Sequence, residues 1–593
     1  MAKKQGKEKK TTGNVFEWGL MKRMISYLGP YKGWFSIAFG LTILLSLLMP
    51  VRPFLFQYML DNPVVAGDME GLRLLVMAVL ALLFVQTIIG YFNTYLTNWL
   101  GQSVMRDLRT QVFDHILRLR LKYYDTTPIG TLQTRTISDV ETLNNVFSSG
   151  LVRILGDLLQ IFAVIGTMFY ISWRLTLVVL ITVPILLVAT YIFKTKVKAA
   201  FEQVRKSVSR INAFLQEHIT GMPIVHIFNR EQIEYDRFDE INDKLQKANL
   251  NSVLYYSVFF PVVEMVSALG LALIVWYGVG AIMEGFLTFG KLVAFTMYIS
   301  MFFRPIRMLA DQFNTLQLGM VSAERIFKVL DTQDFIKDEG QNQEVQGNHN
   351  QLSIRLEDVS FAYNEPEWVL QDINLDIQPG EKVALVGSTG SGKTTIINLI
   401  SRFYEVQKGN LFINDTNIKE FELAALRSLI GVVLQDVFLF SGSIYDNISL
   451  NNSTIPMETI VEAAKKVGAN EFISQLPGGY NYHVRERGAT LSLGQRQLVA
   501  FARVMVYNPS ILVLDEATAN IDTESEEIIQ KAIDTVMADR TSIMIAHRLS
   551  TIQKADKIVV LHKGKIIEVG NHHELMEQKG AYFRLHELQF AHH

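Results

Sequence analysis

The sequence predicts an α-helical transmembrane domain of six helices followed by an α/β domain built around a phosphate-binding loop. Three observations carry that prediction. Only 19% of the 593 residues are charged while 49% are hydrophobic, against about 25% charged in an average soluble chain. The deficit collects in six apolar runs in the first half, and six spanning helices of about 20 residues each account for a shortfall of this size. The second half has ordinary soluble composition and contains Gly387-Ser388-Thr389-Gly390-Ser391-Gly392-Lys393-Thr394 directly after a short apolar run.

The totals exclude several classes. A net charge of −2 gives no overall electrostatic footprint for nucleic acid. Without cysteine there are no disulfide frameworks, thiolate zinc sites or cysteine nucleophiles. Residues 1–10 are Lys-rich, but 11–32 hold no uninterrupted apolar core, so no cleaved secretory signal is predicted.

The apolar runs cover about 34–51, 74–92, 150–173, 175–193, 255–283 and 292–303, each long enough to span the bilayer or nearly so. Pro184 predicts a kink in the fourth. The sixth is the weakest, because Arg304 and Arg307 close it. Lys22 and Arg23 precede the first run, Arg106, Arg109, Arg118, Arg120 and Lys122 follow the second, and Lys194, Lys196 and Lys198 follow the fourth. The connection 61–71 carries only acidic charges, and 172–174 and 284–290 are short. The positive-inside rule therefore places both termini in the cytoplasm and these three turns outside. Connections 99–149 and 194–252 are charged throughout and read as helices continuing past the bilayer, since loops of that length are uncommon. Arg52, Asp157 and Glu264 bring charge into the spans, which is costly unless a cavity or partner receives it. They are the candidate substrate or cavity residues, with pairing to a neighbour as the structural alternative. The resulting division is a tail and elbow over 1–32, the transmembrane domain over 33–331, a polar linker over 332–351 and the α/β domain over 352–593.

In that last domain β-rich runs 382–386, 430–434, 511–514 and 541–545 alternate with helical segments. The glycines of 387–392 let successive N–H groups face phosphates, a helix N-terminus favours the anion, Lys393 neutralises the outer phosphates and Thr394 offers a hydroxyl to Mg²⁺. An apolar strand delivers Asp515 near the metal, and Glu516 beside it polarises an attacking water.

Between these lies Leu491-Ser492-Leu493-Gly494-Gln495-Arg496-Gln497. With it the chain resembles the ATP-binding cassette (ABC) family over nearly its whole length, in the arrangement of an exporter-type half-transporter. The resemblance implies that Tyr363 stacks on adenine and that Gln435 senses Mg²⁺ and the terminal phosphate. It implies further that Asp522 is the D-loop aspartate, that His547 contacts the γ-phosphate, and that Ser492, Gly494 and Gln495 bind nucleotide held by an opposite subunit. Residues 387–395, including Thr395, are then the ATP cradle, with Mg²⁺ held by Thr394, Gln435 and Asp515. Residues 125–130 and 228–231 are implied to form coupling helices that dock near Gln435.

Two motifs depart from the family pattern. Ala519-Asn520-Ile521-Asp522 replaces Ser-Ala-Leu-Asp, which keeps the aspartate. Leu493 stands where the signature has glycine, and its side chain restricts backbone approach to a γ-phosphate. One phosphate loop and one signature cannot form an ATP sandwich in one chain, so a second half-transporter is the implied partner; Leu493 tips the expectation slightly toward a heterodimer over a homodimer. The implied activity is ATP-driven export of hydrophobic or amphiphilic compounds, drug-like or lipid, from the plasma (inner) membrane by alternating access. The alternative is a nucleotide-gated or regulatory ABC membrane protein without strongly coupled transport, which the paired Glu516 and His547 disfavour.

Overall fold

The computed structural model describes residues 18–342, 351–515, 523–545 and 549–590. Over these the chain divides into two compact units, one from 18–118 with 127–333 and one from 119–126 with 334–590.

The first unit is all helix. The first apolar run gives α1 (Lys32–Leu48) and α2 (Val51–Met59), separated at Met49-Pro50. Buried Tyr298 donates its hydroxyl to the Pro50 carbonyl at 2.8 Å, which supplies a polar partner at this break, as a lipid-solvated backbone requires. Helix α3 (Met69–Arg118) has 50 residues. At about 1.5 Å per residue it extends far beyond a hydrocarbon core about 30 Å thick. The predicted helical continuation is therefore real up to Arg118, where the chain passes into the second unit through α4 (Leu121–Thr126). Residues 129–171 then form one helical path with π-turns at Arg135–Asp139 and Val146–Leu151, ending in α5 (Val152–Ile171).

The fourth run divides into α6 (Trp173–Leu180) and α7 (Thr182–Thr220). Pro184 lies just inside α7, and having no N–H it cannot bond the carbonyl four residues back, at Leu180. Helix α8 (Glu231–Met283) returns along α7, with Phe193 stacked on Phe259 at 3.9 Å.

The sixth run lies on α9 (Phe289–Leu330), a 42-residue helix. Five helical stretches among the described residues are long and apolar enough to cross a membrane, and α9 is not one of them. Lys291, Arg304 and Arg307 lower its mean hydropathy, while Phe295, Tyr298 and Phe303 are fully buried with Val263 and Ile274 of α8. The N-cap of α9 is Thr288, whose hydroxyl accepts the Lys291 N–H at 3.4 Å, and the 61–71 connection adds to this cap. Asp61 accepts the Thr288 hydroxyl at 2.6 Å and the Gly290 N–H at 2.8 Å.

The second unit contains two main sheets. The antiparallel one, in order β2-β1-β4-β5, consists of β1 (Ile354–Phe361), β2 (Leu370–Ile377), β4 (Lys408–Ile413) and β5 (Thr416–Asn417). The other follows the order β12-β11-β3-β10-β9-β6. Its strands are β3 (Lys382–Val386), β6 (Ile430–Val433), β9 (Ile511–Asp515), β10 (Thr541–Ile545), β11 (Lys557–His562) and β12 (Lys565–Gly570). All neighbours are parallel except the β12 edge. A small ladder pairs β7 (Gly442–Ser443) with β8 (His483–Val484). The four strands read from the sequence are thus β3, β6, β9 and β10.

Alternation along these strands builds two cores. Val383, Leu385, Ile511 and Val513 point into the cluster shared with β1, β2 and α10 (Lys393–Ile400). Ala384, Val386, Leu512 and Leu514 point to the opposite face, against α11 (Leu493–Tyr507). Strands buried on both faces read as continuous apolar runs, which is why they were legible.

The described part of the polar linker lies fastened along this unit. Leu119 and Phe335 form a bridge, Gln341 and Asn342 donate backbone N–H groups to the Glu420 carbonyl at 3.1 Å, and buried Arg402 donates to the Lys337 carbonyl at 2.9 Å.

Candidate functional site

The parallel sheet brings the chemistry to one edge. Leu385 of β3 is in register with Ile545 of β10, and Ile545 with Asp515 of β9. Beyond β6, where Val433 pairs with Leu514, comes exposed Gln435. The phosphate loop after β3, Asp515 and Gln435 therefore leave the carboxyl ends of β3, β9 and β6 of one sheet, where open α/β sheets bind ligands.

The loop itself is a backbone device. Gly390 and Gly392 have φ of 79° and 107°, values that side chains rarely tolerate. A Cβ on Gly392 would stand 2.5 Å from Leu370, and one on Gly387 would collide with the Leu561 carbonyl. The Ser391 N–H donates to the Ser388 carbonyl at 3.1 Å, folding the loop back on itself past Thr389. Gly392 caps α10, whose first residue, Lys393, is buried at 7% exposure. The Lys393 ammonium donates to the carbonyls of Gly387 at 2.6 Å and Ser388 at 3.2 Å. Ser391 Oγ is buried without a hydrogen-bond partner among the described residues, a polar atom suited to a phosphate oxygen.

Thr394 is exposed at the start of α10 while Thr395 turns inward. The Thr395 hydroxyl lies 3.2 Å from that of Tyr363, which also receives Asn398 Nδ2 at 3.2 Å. Tyr363 is thus anchored from the same helix that opens at the phosphates. Thr394, Asp515 and Gln435 supply oxygen ligands of the kind Mg²⁺ takes, and no group of three His, Cys, Asp or Glu residues forms a metal cage among the described residues. A hydroxyl and a carboxylate completed by phosphates and water are the usual way to hold that ion.

Ser492 is the N-cap of α11. Its hydroxyl accepts the Gln495 N–H at 3.2 Å, and its own N–H donates to Gln495 Oε1 at 3.0 Å, a reciprocal capping box. Buried Gly494 and half-exposed Leu493 form the first turn, and Leu493 adopts right-handed backbone there. The leucine is therefore accommodated without strain in the first turn of the helix. Glu516, Asp522 and His547 lie outside the described residues.

Of the three intramembrane candidates, Asp157 lines a cavity. That cavity, about 300 Å³, is bordered by α1, α3 and α5, with Asn93, Asn98, Arg153 and Gln160 also on its wall. Gln312 donates to the Asp157 carboxylate at 3.1 Å. Glu264 is exposed on α8, and Arg52 is half-buried on α2.

Within the second unit the structure adds a residue the sequence reading missed. Tyr404 packs edge-on against Tyr363 with centroids 5.0 Å apart, and its hydroxyl donates to Asp125 of α4. Burial and the neighbouring carboxylate raise its pKa well above that of an ordinary phenol. Asp125 opens the 125–130 segment expected to dock near Gln435, and its carboxylate accepts the hydroxyl of Tyr404, the ring beside Tyr363. An aromatic just past a helix carries no signal of such a role in one sequence.

Comparison with known proteins agrees with this layout. The family model for the ABC transporter transmembrane region matches residues 35–306, and a second model, described as ABC transporter, matches residues 370–519. An uncharacterized ABC transporter ATP-binding protein of Bacillus subtilis, YknV, is 39% identical over 581 residues, 97% of this chain and 95% of that protein. The putative multidrug export ATP-binding/permease protein YgaD of the same organism is 35% identical over 578 residues, 96% of this chain and 99% of that protein. An ATP-dependent lipid A-core flippase of Syntrophus aciditrophicus is 34% identical over 571 residues, 96% of this chain and 94% of that protein.

Proposed function

The chain belongs to the ABC transporter family, as a multi-pass half-transporter whose dimer exports its substrate at the expense of ATP, and on that premise we propose the following assignment. The exported compound is hydrophobic or amphiphilic, drug-like or lipid, as the names of the multidrug and lipid A-core relatives suggest. The membrane is the plasma (inner) membrane, with both termini cytoplasmic, as the loop charges favour.

Residues 387–395 cradle the phosphates, and Lys393 neutralises the outer ones. Thr394, Asp515 and Gln435 would hold Mg²⁺, which when bound bridges phosphate oxygens and offsets their charge. Glu516 polarises the attacking water, His547 contacts the γ-phosphate, Asp522 belongs to the D-loop, and Tyr363 stacks on adenine. Ser492, Gly494 and Gln495 address the nucleotide of the opposite subunit. The observation that supports this reading most is the register Leu385–Ile545–Asp515. It aligns the strand ends from which the cradle, the metal carboxylate and the His547 segment continue.

Leu493 favours a heterodimer, in which this chain completes a slower site on its partner. Asp157 is the preferred substrate contact, because it lines a cavity together with Asn93, Asn98, Arg153 and Gln160. The test of pairing is ATP turnover by this chain purified alone in lipid. The heterodimer reading expects little turnover until another half-transporter is added, and robust turnover by the single chain would overturn it. For Asp157, replacement by Asn is expected to shift the concentration of a cationic amphiphile that half-maximally stimulates turnover, with Glu264→Gln leaving it in place. The reverse pattern would move the site to α8.

A further inference from the structure

Tyr363 does not stand alone. Phe361, Tyr363 and Tyr404 form a three-ring cluster, each pair edge to face, with centroids 4.9, 5.0 and 5.6 Å apart. The Tyr363–Tyr404 pair is perpendicular at 90°, the arrangement in which a positive ring edge meets a negative face. Thr395 and Asn398 of α10 fix the hydroxyl end of Tyr363, and Tyr404 fixes its ring plane.

Tyr404 is in turn secured from a segment far away in sequence. It is buried at 7% exposure, and its hydroxyl reaches Asp125. The next residue, Glu405, takes Arg120 at 3.6 Å, and Arg120 also donates to the Phe335 carbonyl at 2.6 Å. A phenylalanine would fill the same apolar space, whereas the hydroxyl gains a charge-assisted hydrogen bond, shorter and stronger than a neutral one. That bond specifies a position and not merely a volume.

We infer that Tyr404 is a positioning residue for the nucleotide base: held by Asp125 of α4, it fixes the ring plane of Tyr363 on which the base stacks. The inference rests on Tyr363 being the base-stacking ring. Because α4 follows α3 directly in the chain, the base end of the nucleotide site is tied covalently to a membrane-spanning helix, independently of the phosphate end near Gln435.

The test uses the full-length chain in lipid nanodiscs, paired as its activity requires. It compares Tyr404→Leu, Tyr404→Phe, Asp125→Asn and Tyr363→Leu. ATP turnover is measured against ATP concentration, and inorganic tripolyphosphate, which has no base, serves as competitor. Tyr404→Leu is expected to raise KM for ATP about two- to tenfold, the range of one aromatic pair, with kcat changing less. The inhibition constant of tripolyphosphate stays in place. Tyr404→Phe and Asp125→Asn raise KM in the same direction and are non-additive when combined, as partners in one bond are. Unchanged KM in the Tyr404 variants, or an equal shift for tripolyphosphate, overturns the inference, because a loss of general integrity would weaken both ligands. Tyr363→Leu separates the two levels. An altered KM there with none in the Tyr404 variants overturns this inference alone, and an unaltered one overturns the base-stacking reading with it.

Discussion

Asp515 closes β9 directly opposite Ile545 of β10, and this pairing sets where the carboxylate stands relative to the phosphate loop. Side chains alternate between faces along a strand, so a one-residue slip would exchange the two cores as well as displace the carboxylate. The position of the Asp515 carboxylate and the hydrophobic packing are thereby enforced by the same hydrogen-bond ladder.

Lys393 is the first point at which that geometry can be broken. Its buried ammonium is held by the Gly387 and Ser388 carbonyls. Lys393→Ala is expected to weaken ATP binding about ten- to a hundredfold, the scale of hydrogen bonds to a charged group. Titration with a fluorescent ATP analogue measures it, and an unchanged Kd would remove the phosphate role from this lysine.

The signature helix offers a second handle. Ser492→Ala removes half of the capping box on α11 and is expected to cost about 1 kcal/mol in stability, read from thermal unfolding. Leu493→Gly is expected to raise turnover of the assembled dimer by clearing the approach to the helix N-terminus. Equal or lower turnover would show that the leucine is no brake.

Much of this was legible beforehand, for physical reasons that differ along the chain. Strands β3, β9 and β10 announced themselves because burial on both faces leaves no polar alternation, and the phosphate loop because its backbone demands glycine. Helix α9 was the weakest apolar run in sequence because Arg304 and Arg307 close it, yet its rings Phe295, Tyr298 and Phe303 are buried among other helices. The capping of α9 by Asp61 was invisible, since Asp61 and Gly290 are joined only by the tertiary fold. Tyr404 escaped for the same reason, its partner Asp125 lying 279 residues away.

The Asp61 cap makes a prediction for the membrane unit. It holds both the Thr288 hydroxyl and the Gly290 N–H. Asp61→Ala is expected to destabilise by about 1 kcal/mol, seen as a lower melting temperature in detergent. A melting temperature equal to that of the parent chain would indicate that solvent caps the helix as well.

The C-terminal segment carries a pH dependence. Burial holds the His572 imidazole below its ordinary pKa, and nearby His586 and His573 add like-charge repulsion. Its Nδ1 lies 2.8 Å from the Tyr582 hydroxyl, which burial pushes up to about 12. A folded-state value below the unfolded one, about 6.5, means that the unfolded chain binds the proton more readily. The stabilisation is therefore fully present above that pH and is lost as pH falls through the unfolded value toward the folded one. Amide exchange over 572–587, corrected for intrinsic rates, should accelerate between about pH 7 and about pH 5, and His572→Gln should flatten the response. Acceleration of the same size in that variant would assign it to another group.

The central claim is that hydrolysis at the site built on Lys393, Asp515 and Glu516 drives export. Its most direct test is ATP-dependent uptake of a fluorescent amphiphile into proteoliposomes with outward-facing ATPase domains, comparing the parent dimer with one carrying Glu516→Gln in every copy of this chain. The account predicts uptake that requires hydrolysable ATP and falls to background in the variant, while ATP binding is retained. Undiminished uptake by the Glu516→Gln dimer would contradict it.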